Sequence, residues 1–227
     1  MPIEPAPTEI AFPDPRDAPG DVVAVGVDFR AGTLLTAYRA GIFPWPQSPR
    51  RVGWFSPDPR AIFPLEKPFH WSRSLRRAMR AKDLTITVDE AFADVMKACG
   101  DERREGTWIV PALVEGYARL FKLGWAHSVE IWETGKNKHA LVGGIYGVAI
   151  GRFFSGESMF HRRTDASKIA FAALVERLRA ADYELFDVQV QNPHLESLGI
   201  VEIPRDEYLD RLEKAIARTA KPLVDAR

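Results

Sequence analysis

The chain has a single cysteine, Cys99, among 227 residues. No intramolecular disulfide can form, the usage expected in a reducing cytoplasm. No stretch approaches the roughly 18 apolar residues that a membrane span requires, and the first residues lack the basic start and apolar run of a secretory signal. The expectation is therefore a cytoplasmic protein without a membrane partner. Net charge is missing too, with 31 basic residues balanced by 31 acidic ones. That argues against coating nucleic acid through bulk charge but leaves room for a local basic patch. The five histidines have no metal-ligand spacing, and Cys99 falls on an apolar helical stripe, so neither a metal site nor a cysteine nucleophile is expected. There is no Gly-x-Ser-x-Gly elbow. Gly143, Gly144 and Gly147 lie inside a strand-like run rather than ahead of a helix, which favours a bulge or close backbone approach over a phosphate loop. No cofactor is expected.

What is present is unevenly spread. Thirteen of the 17 prolines fall between Pro2 and Pro68, interleaved with Phe43, Trp45, Trp54, Phe55 and Phe63. Proline fixes φ, and aromatics bring large buried area, so this region reads as ordered turns and short extended pieces. Residues 1–66 are expected to form a small N-terminal domain with one helix around Gly32 to Ala40. From residue 67 to 227 the pattern becomes regular. Phe92, Val95, Met96 and Cys99 make an apolar stripe that Asp89 is placed to cap. Pro111 suits the first position of a helix that Gly124 ends. Strands are expected over Ala126–Trp132, Leu141–Ile150, Arg152–Phe160 and Leu185–Val190, with a helix after Asp165 and a last one after Pro204. The expected fold class is α+β with a mixed sheet.

Three features carry chemistry. Arg73, Arg76, Arg77, Arg80 and Lys82 occupy a stretch without an acid, the arginines at i, i+3, i+4 and i+7 of one helical face. A phosphate-bearing partner would relieve their repulsion; a solvated basic face is the plainer reading. Asp187 and Gln189 sit two apart in a strand, so both side chains leave the same face. They read either as a polar pair placed in a cleft to handle an amine proton, or as a satisfied core pair. Glu157 lies in a half-buried strand, facing a pocket or the surface. Trp54 and Trp108 offer stacking surfaces for a base, or else pack in a core.

Several segments together resemble the leucyl/phenylalanyl-tRNA–protein transferase family. They are Tyr38-Arg39-Ala40-Gly41-Ile42-Phe43-Pro44-Trp45, Trp54-Phe55-Ser56-Pro57-Asp58-Pro59-Arg60, Gly106-Thr107-Trp108-Ile109, the run from Leu141 to Val148, Gly156-Glu157-Ser158-Met159-Phe160, Ala166-Ser167-Lys168, Asp187-Val188-Gln189 and Ser197-Leu198-Gly199. They follow in the family's order from about Ile10 to Leu212. The resemblance implies a C-terminal domain like the GNAT acyltransferases behind the small N-terminal one. It also implies bacterial transfer of Leu or Phe, less readily Met, from aminoacyl-tRNA to proteins beginning with Arg or Lys, creating a degradation signal. The same likeness implies a monomer. It assigns catalysis to Asp187, Gln189 and Glu157, with Asp187 orienting and polarising Gln189. It assigns the donor side-chain pocket to Ile145, Leu174 and Phe186 and tRNA contact to the basic helix; Trp54 and Trp108 stand as the adenosine-stacking candidates. The chemistry is sensible: an aminoacyl ester is already activated, so transfer needs alignment, proton removal and oxyanion stabilisation rather than ATP. Two rivals remain. An acyl-CoA-dependent GNAT enzyme would need a glycine-bearing pyrophosphate loop, whereas Phe160-His161-Arg162-Arg163-Thr164 has no glycine. A non-catalytic tRNA- or peptide-binding protein would keep the basic helix without needing Asp187 and Gln189.

Overall fold

Two sheets organise the chain, and each takes its place from local sequence. The structure is a computed structural model, and it describes residues 1–48, 51–67, 69, 72–101, 109–135 and 138–223. The smaller sheet is antiparallel, built from β1 (Val22–Val25), β2 (Phe43–Ser48) and β3 (Arg51–Phe55) in the order β1-β3-β2. β2 carries Pro44 and Pro46 and lies at an edge, where prolines are tolerated because a ladder N–H is not required on the open side. Helix α1 (Ala31–Arg39) precedes it, close to the expected Gly32–Ala40.

The larger sheet has seven strands in the order β10-β4-β9-β8-β7-β6-β5. These are β4 (Arg60–Phe63), β5 (Leu84–Val88), β6 (Ala126–Gly135), β7 (Lys138–Ile150), β8 (Phe153–His161), β9 (Leu185–Gln189) and β10 (Val201–Ile203). All neighbours are antiparallel except β8 and β9, which need a crossover and have one in α5 (Ala166–Ala180). The sheet is mixed, as the sequence pattern predicts. The expected boundary at residue 66 falls after β4, yet β4 is an inner strand here, so the larger sheet begins at Arg60.

Alternation divides the sheet's side chains between two cores. Along β7, β8 and β9, Tyr146, Val148, Phe153 and Leu185 join one cluster with α1, α3 (Phe92–Cys99), α4 (Pro111–Lys122) and α7 (Arg205–Ile216). Ile145, Ala149, Phe154, Phe186 and Val188 join the other with α5 and Leu75 of α2 (Arg73–Met79). The result is helices on both faces of a central sheet. A short helix, α6 (Pro193–Glu196), follows β9.

Two expected caps are placed differently. Asp89 does not cap α3; it has φ 61°, and its carboxylate accepts from the Ser128 N–H (2.8 Å) and meets His127 Nδ1 (2.7 Å) on β6. Asp165 stands at the start of α5 in a left-handed conformation (φ 64°) without a side-chain cap, and pairs with Lys168 at 3.5 Å. The glycine expectation holds in detail at Gly147. A bulge interrupts the β7–β8 pairing between Tyr146 and Gly147, and a Cβ there would stand 2.1 Å from the Ser155 carbonyl.

Candidate active site

The parallel strands β8 and β9 pair only from Phe153/Leu185 to Ser155/Asp187. Beyond that point β9 ends in a tight turn in which the Val190 N–H donates to the Val188 carbonyl (2.8 Å) around Gln189 at φ 64°. A non-glycine residue held there stores strain, of the order of 1–3 kcal/mol, which surrounding contacts must hold in place. Two cavities, of about 350 and 310 Å³, lie beside the parted strands, and Glu157, Val188, Gln189, Asn192 and Leu195 line both. The first is walled by Ile145, Met159 and Phe171, with His161, Ser167 and His194 among its polar groups. The second is walled by Phe43, Pro44 and Trp45. A larger cavity of about 560 Å³ lies between the N-terminal segment, α1 and α4, away from these groups.

The contact that holds the Gln189 turn comes from Asp187. Its Oδ1 accepts the Gln189 backbone N–H (2.9 Å). The same carboxylate takes a two-pronged grip from Arg60: Nε to Oδ1 at 2.9 Å and Nη2 to Oδ2 at 2.6 Å. Tyr208 Oη donates to Oδ2 (3.0 Å), and Arg60 Nη1 donates to the Gly41 carbonyl (3.1 Å). Arg60 is 1% exposed and Asp187 0%. The guanidinium lies between the rings of Phe43 and Tyr208, 4.8 and 4.4 Å from their centroids. Burial works against its charge, but the neighbouring carboxylate outweighs that and holds Arg60 protonated above its ordinary value. Asp187 lines neither cavity. It reaches Gln189 through the backbone, not through the side-chain amide.

That amide belongs to Glu157. Gln189 Nε2 donates to Ser155 Oγ (2.8 Å) and to Glu157 Oε1 (3.2 Å), which leaves its carbonyl oxygen as an acceptor in the cleft. Ser155 Oγ donates to Glu157 Oε1 (2.9 Å) and Tyr117 Oη to Oε2 (2.8 Å), with the Tyr38 hydroxyl on Tyr117 behind it. Burial pushes the Glu157 carboxyl up to about 7, despite the Tyr117, Tyr38 and Ser155 hydroxyls that favour its charged form; Asp187 adds to the rise. The folded protein thus holds this proton more tightly than the unfolded chain, whose ordinary value is 4.5. On this group's account, stability falls as pH rises from about 4.5 to about 7.

The expected donor pocket is only partly where the sequence placed it. Ile145 lines the first cavity. Leu174 and Phe186 do not; Leu174 lies in the α5 core, and Phe186 is stacked against Phe171 at 5.3 Å. Phe171 is an apolar α5 side chain that lines the cavity, with Met159 and Val188 also in its wall. Trp54 does not offer a stacking face: it is 2% exposed and packed edge-on against Phe12. Trp45, 39% exposed, borders the second cavity instead. Trp108 lies outside the described residues. Arg73, Arg76, Arg77, Arg80 and Lys82 are all exposed, the first three on α2 and the last two in the turn after it. An ion pair between Asp83 and Arg163 (2.8 Å) ties that end of the basic segment to the turn ahead of α5.

Sequence reasoning missed Arg60, Tyr38, Tyr117, Ser155 and Tyr208 as members of the site. Arg60 and Tyr38 stand inside segments that carry the family resemblance, but nothing local marks either as buried.

A half-buried acid and an amide line both cavities, an arrangement that suits group transfer between two substrates. Residues 62–213 match the family described as leucyl/phenylalanyl-tRNA protein transferase, and residues 27–58 match the N-terminal domain of the same family. The chain is 47% identical to the leucyl/phenylalanyl-tRNA–protein transferase of Desulfatibacillum aliphaticivorans, over 95% of this chain and 92% of that protein. It is 48% identical to the one from Anaeromyxobacter sp. (strain Fw109-5), over 93% and 90%. With the Stutzerimonas stutzeri protein of that name, identity is 46% over 92% and 93%. Among solved structures, that of L-PGS from Bacillus licheniformis gives a TM-score of 0.41 at 13% identity, covering 71% of this chain and 65% of that one. The chain belongs to the leucyl/phenylalanyl-tRNA–protein transferase family, and it is a transferase.

Proposed function

We propose that the protein moves Leu or Phe, and Met less readily, from aminoacyl-tRNA to the N-terminal Arg or Lys of acceptor proteins, creating a degradation signal. The observation that carries this reading is the meeting of two cavities at Glu157 and Gln189. The donor's terminal adenosine stacks on Trp45, its aminoacyl side chain enters the apolar wall of Ile145, Met159 and Phe171, and the ester carbonyl lies between them. The Gln189 carbonyl oxygen accepts a hydrogen bond from the incoming amine and so aligns it. Alignment of this kind lowers the barrier by prepaid entropy; an amide is too weakly basic to take the proton itself. Asp187 and Arg60 serve by fixing the turn that aims Gln189. The acid Glu157 receives the cationic acceptor.

The proposal includes a GNAT-like catalytic domain, supported by the two parallel strands that part at the site and by the α5 crossover between them. The small N-terminal unit then ends ahead of β4 rather than at residue 66. It also includes a cytoplasmic, monomeric protein; among the described residues no helix is long and apolar enough to cross a membrane.

The test is direct. Labelled Leu-tRNA or Phe-tRNA is incubated with the protein and a peptide beginning with Arg, without ATP. Label on the peptide is expected. No transfer from donor and to acceptor of confirmed quality would remove the reading; transfer only from acyl-CoA would replace it, and binding without turnover would reduce the protein to a binding module. The exposed α2 arginines carry the tRNA side. Replacing Arg76 and Arg77 together by Ala is expected to weaken tRNA binding and flatten the log–log salt dependence by roughly 1–2. An unchanged slope, read by filter binding across salt concentrations, would take α2 out of the tRNA surface.

A further inference from the structure

We propose that Glu157 is the proton carrier of the transfer step: its carboxylate takes the proton from the attacking amine, and its carboxyl returns that proton to the departing ribose oxygen. The inference rests on the function proposed above and deepens it from alignment to proton transfer.

Elimination points to Glu157. Among the described residues lining the two cavities it is the acid, and it lines both. Asp187 lines neither, and its two oxygens are taken by Arg60, Tyr208 and the Gln189 N–H. His161 and His194 border the first cavity only and are exposed, away from the junction. Tyr117 and Tyr38 touch the acid's network, but burial raises both phenols well above their ordinary value, so they stay neutral donors.

The carboxylate also has a place for a proton. A carboxylate offers about four acceptor positions. Ser155 Oγ and Gln189 Nε2 donate to Oε1, Tyr117 Oη donates to Oε2, and the Tyr38 hydroxyl also bonds the carboxylate; a hydroxyl can turn from donor to acceptor, so the proton is received as one of these hydroxyls turns. The groups facing Glu157 come from every element around it: Tyr38 from α1, Tyr117 from α4, Tyr146 from β7, Asp187 from β9, Arg60 from β4 and Tyr208 from α7. Asp187 is the charged neighbour that opposes ionisation, and Arg60, gripping Asp187, limits that effect. The outcome is an acid that titrates at about 7. A peptide α-amine titrates at roughly 7.7–8.0. Groups so closely matched pass a proton either way at little cost, which suits one residue to both halves of the reaction.

The step balances. The neutral α-amine attacks the ester carbonyl, a C–N bond forms, and the nitrogen gives one proton to Glu157. The tetrahedral adduct collapses, the bond from the carbonyl carbon to the ribose oxygen breaks, and the protonated Glu157 gives its proton to that oxygen. The products are an amide and a free tRNA hydroxyl, and the carboxylate is restored. No oxidant, metal or nucleotide enters.

Single-turnover transfer from Phe-tRNA to an Arg-peptide, with peptide varied up to saturation and across pH 5.5–9, tests this. Glu157→Gln is expected to slow transfer about 10²–10⁴-fold, well beyond any rise in the peptide KM, and without the rate increase that the native protein shows around pH 7. The rise belonging to the amine itself should remain. Tyr117→Phe removes a donor that favours the charged carboxylate, so it should move the lower limb of the profile to higher pH. If Glu157→Gln raises the peptide KM and leaves kcat intact, Glu157 is only a receptor for the cation, and the proposal falls. It falls equally if the limb near pH 7 survives the substitution. Should Glu157→Gln not fold, an unmoved limb in Tyr117→Phe overturns it. Failure of the native protein to label the peptide would instead remove the parent function.

Discussion

Arg60→Met is expected to destabilise the fold by about 3–5 kcal/mol in urea unfolding and to abolish transfer. The figure comes from leaving one member of a buried ion pair without the other. Asp187 is fully enclosed, so after the substitution its charge has only the Tyr208 hydroxyl and the Gln189 N–H as partners. The pair itself is a different matter. Two charges removed from water recover most of that cost from each other, and apolar replacement of both is often neutral or better. Arg60→Met combined with Asp187→Leu should therefore regain most of the lost stability. It should not regain activity, because the Gln189 N–H would have lost the acceptor that holds its turn at φ 64°. Stability restored with activity absent is the signature of a positioning pair. Recovery of both would show that the pair serves the fold alone, and a single substitution costing under about 1 kcal/mol would contradict the burial argument.

Trp45→Ala and Trp54→Ala should part company just as sharply. The Trp45 ring is 39% exposed beside the second cavity, held laterally by Phe43 and Phe55 at centroid distances of 6.3 and 5.9 Å. Its loss is expected to weaken aminoacyl-tRNA binding by about 1–3 kcal/mol, the worth of one stacked base, while thermal unfolding changes little. Trp54 is 2% exposed and packs against Phe12 and Phe29. Removing it opens a cavity in the first core and is expected to cost about 3–5 kcal/mol of stability. Equilibrium binding and unfolding on both variants check the pair. A Trp45 variant that binds donor normally would take the indole out of the adenosine site.

Periodicity was most informative where one element meets one core. The α3 stripe of Phe92, Val95, Met96 and Cys99 is buried as its spacing predicts, and α4 starts at Pro111 and ends ahead of Gly124 at φ 82°. The β7–β8 hairpin turns at Gly151 (φ 56°), where a Cβ would stand 2.5 Å from the Arg218 carbonyl. Each of these is decided within a few residues. Capping was less legible: Asp89 precedes a helix but bonds across to β6, because a carboxylate serves whichever donors the fold brings nearest.

The site mixes both kinds of information. Asp187, Gln189 and Glu157 stand out in sequence as polar residues in apolar strands, and the transferase resemblance gave them a reaction. The sequence by itself determined the alternation of elements, the family and the chemical type of the side chains. Which aromatic faces the cleft, which acid is locked and which meets the cavities were decided only by the tertiary structure. Arg60 reaches Asp187 across 127 residues of chain, and Tyr117 reaches Glu157 across 40. The physical reason is that burial and charge pairing depend on neighbours in space. Asp187 is locked against a buried guanidinium, whereas Glu157, among hydroxyls and an amide, has its carboxyl pushed up to about 7.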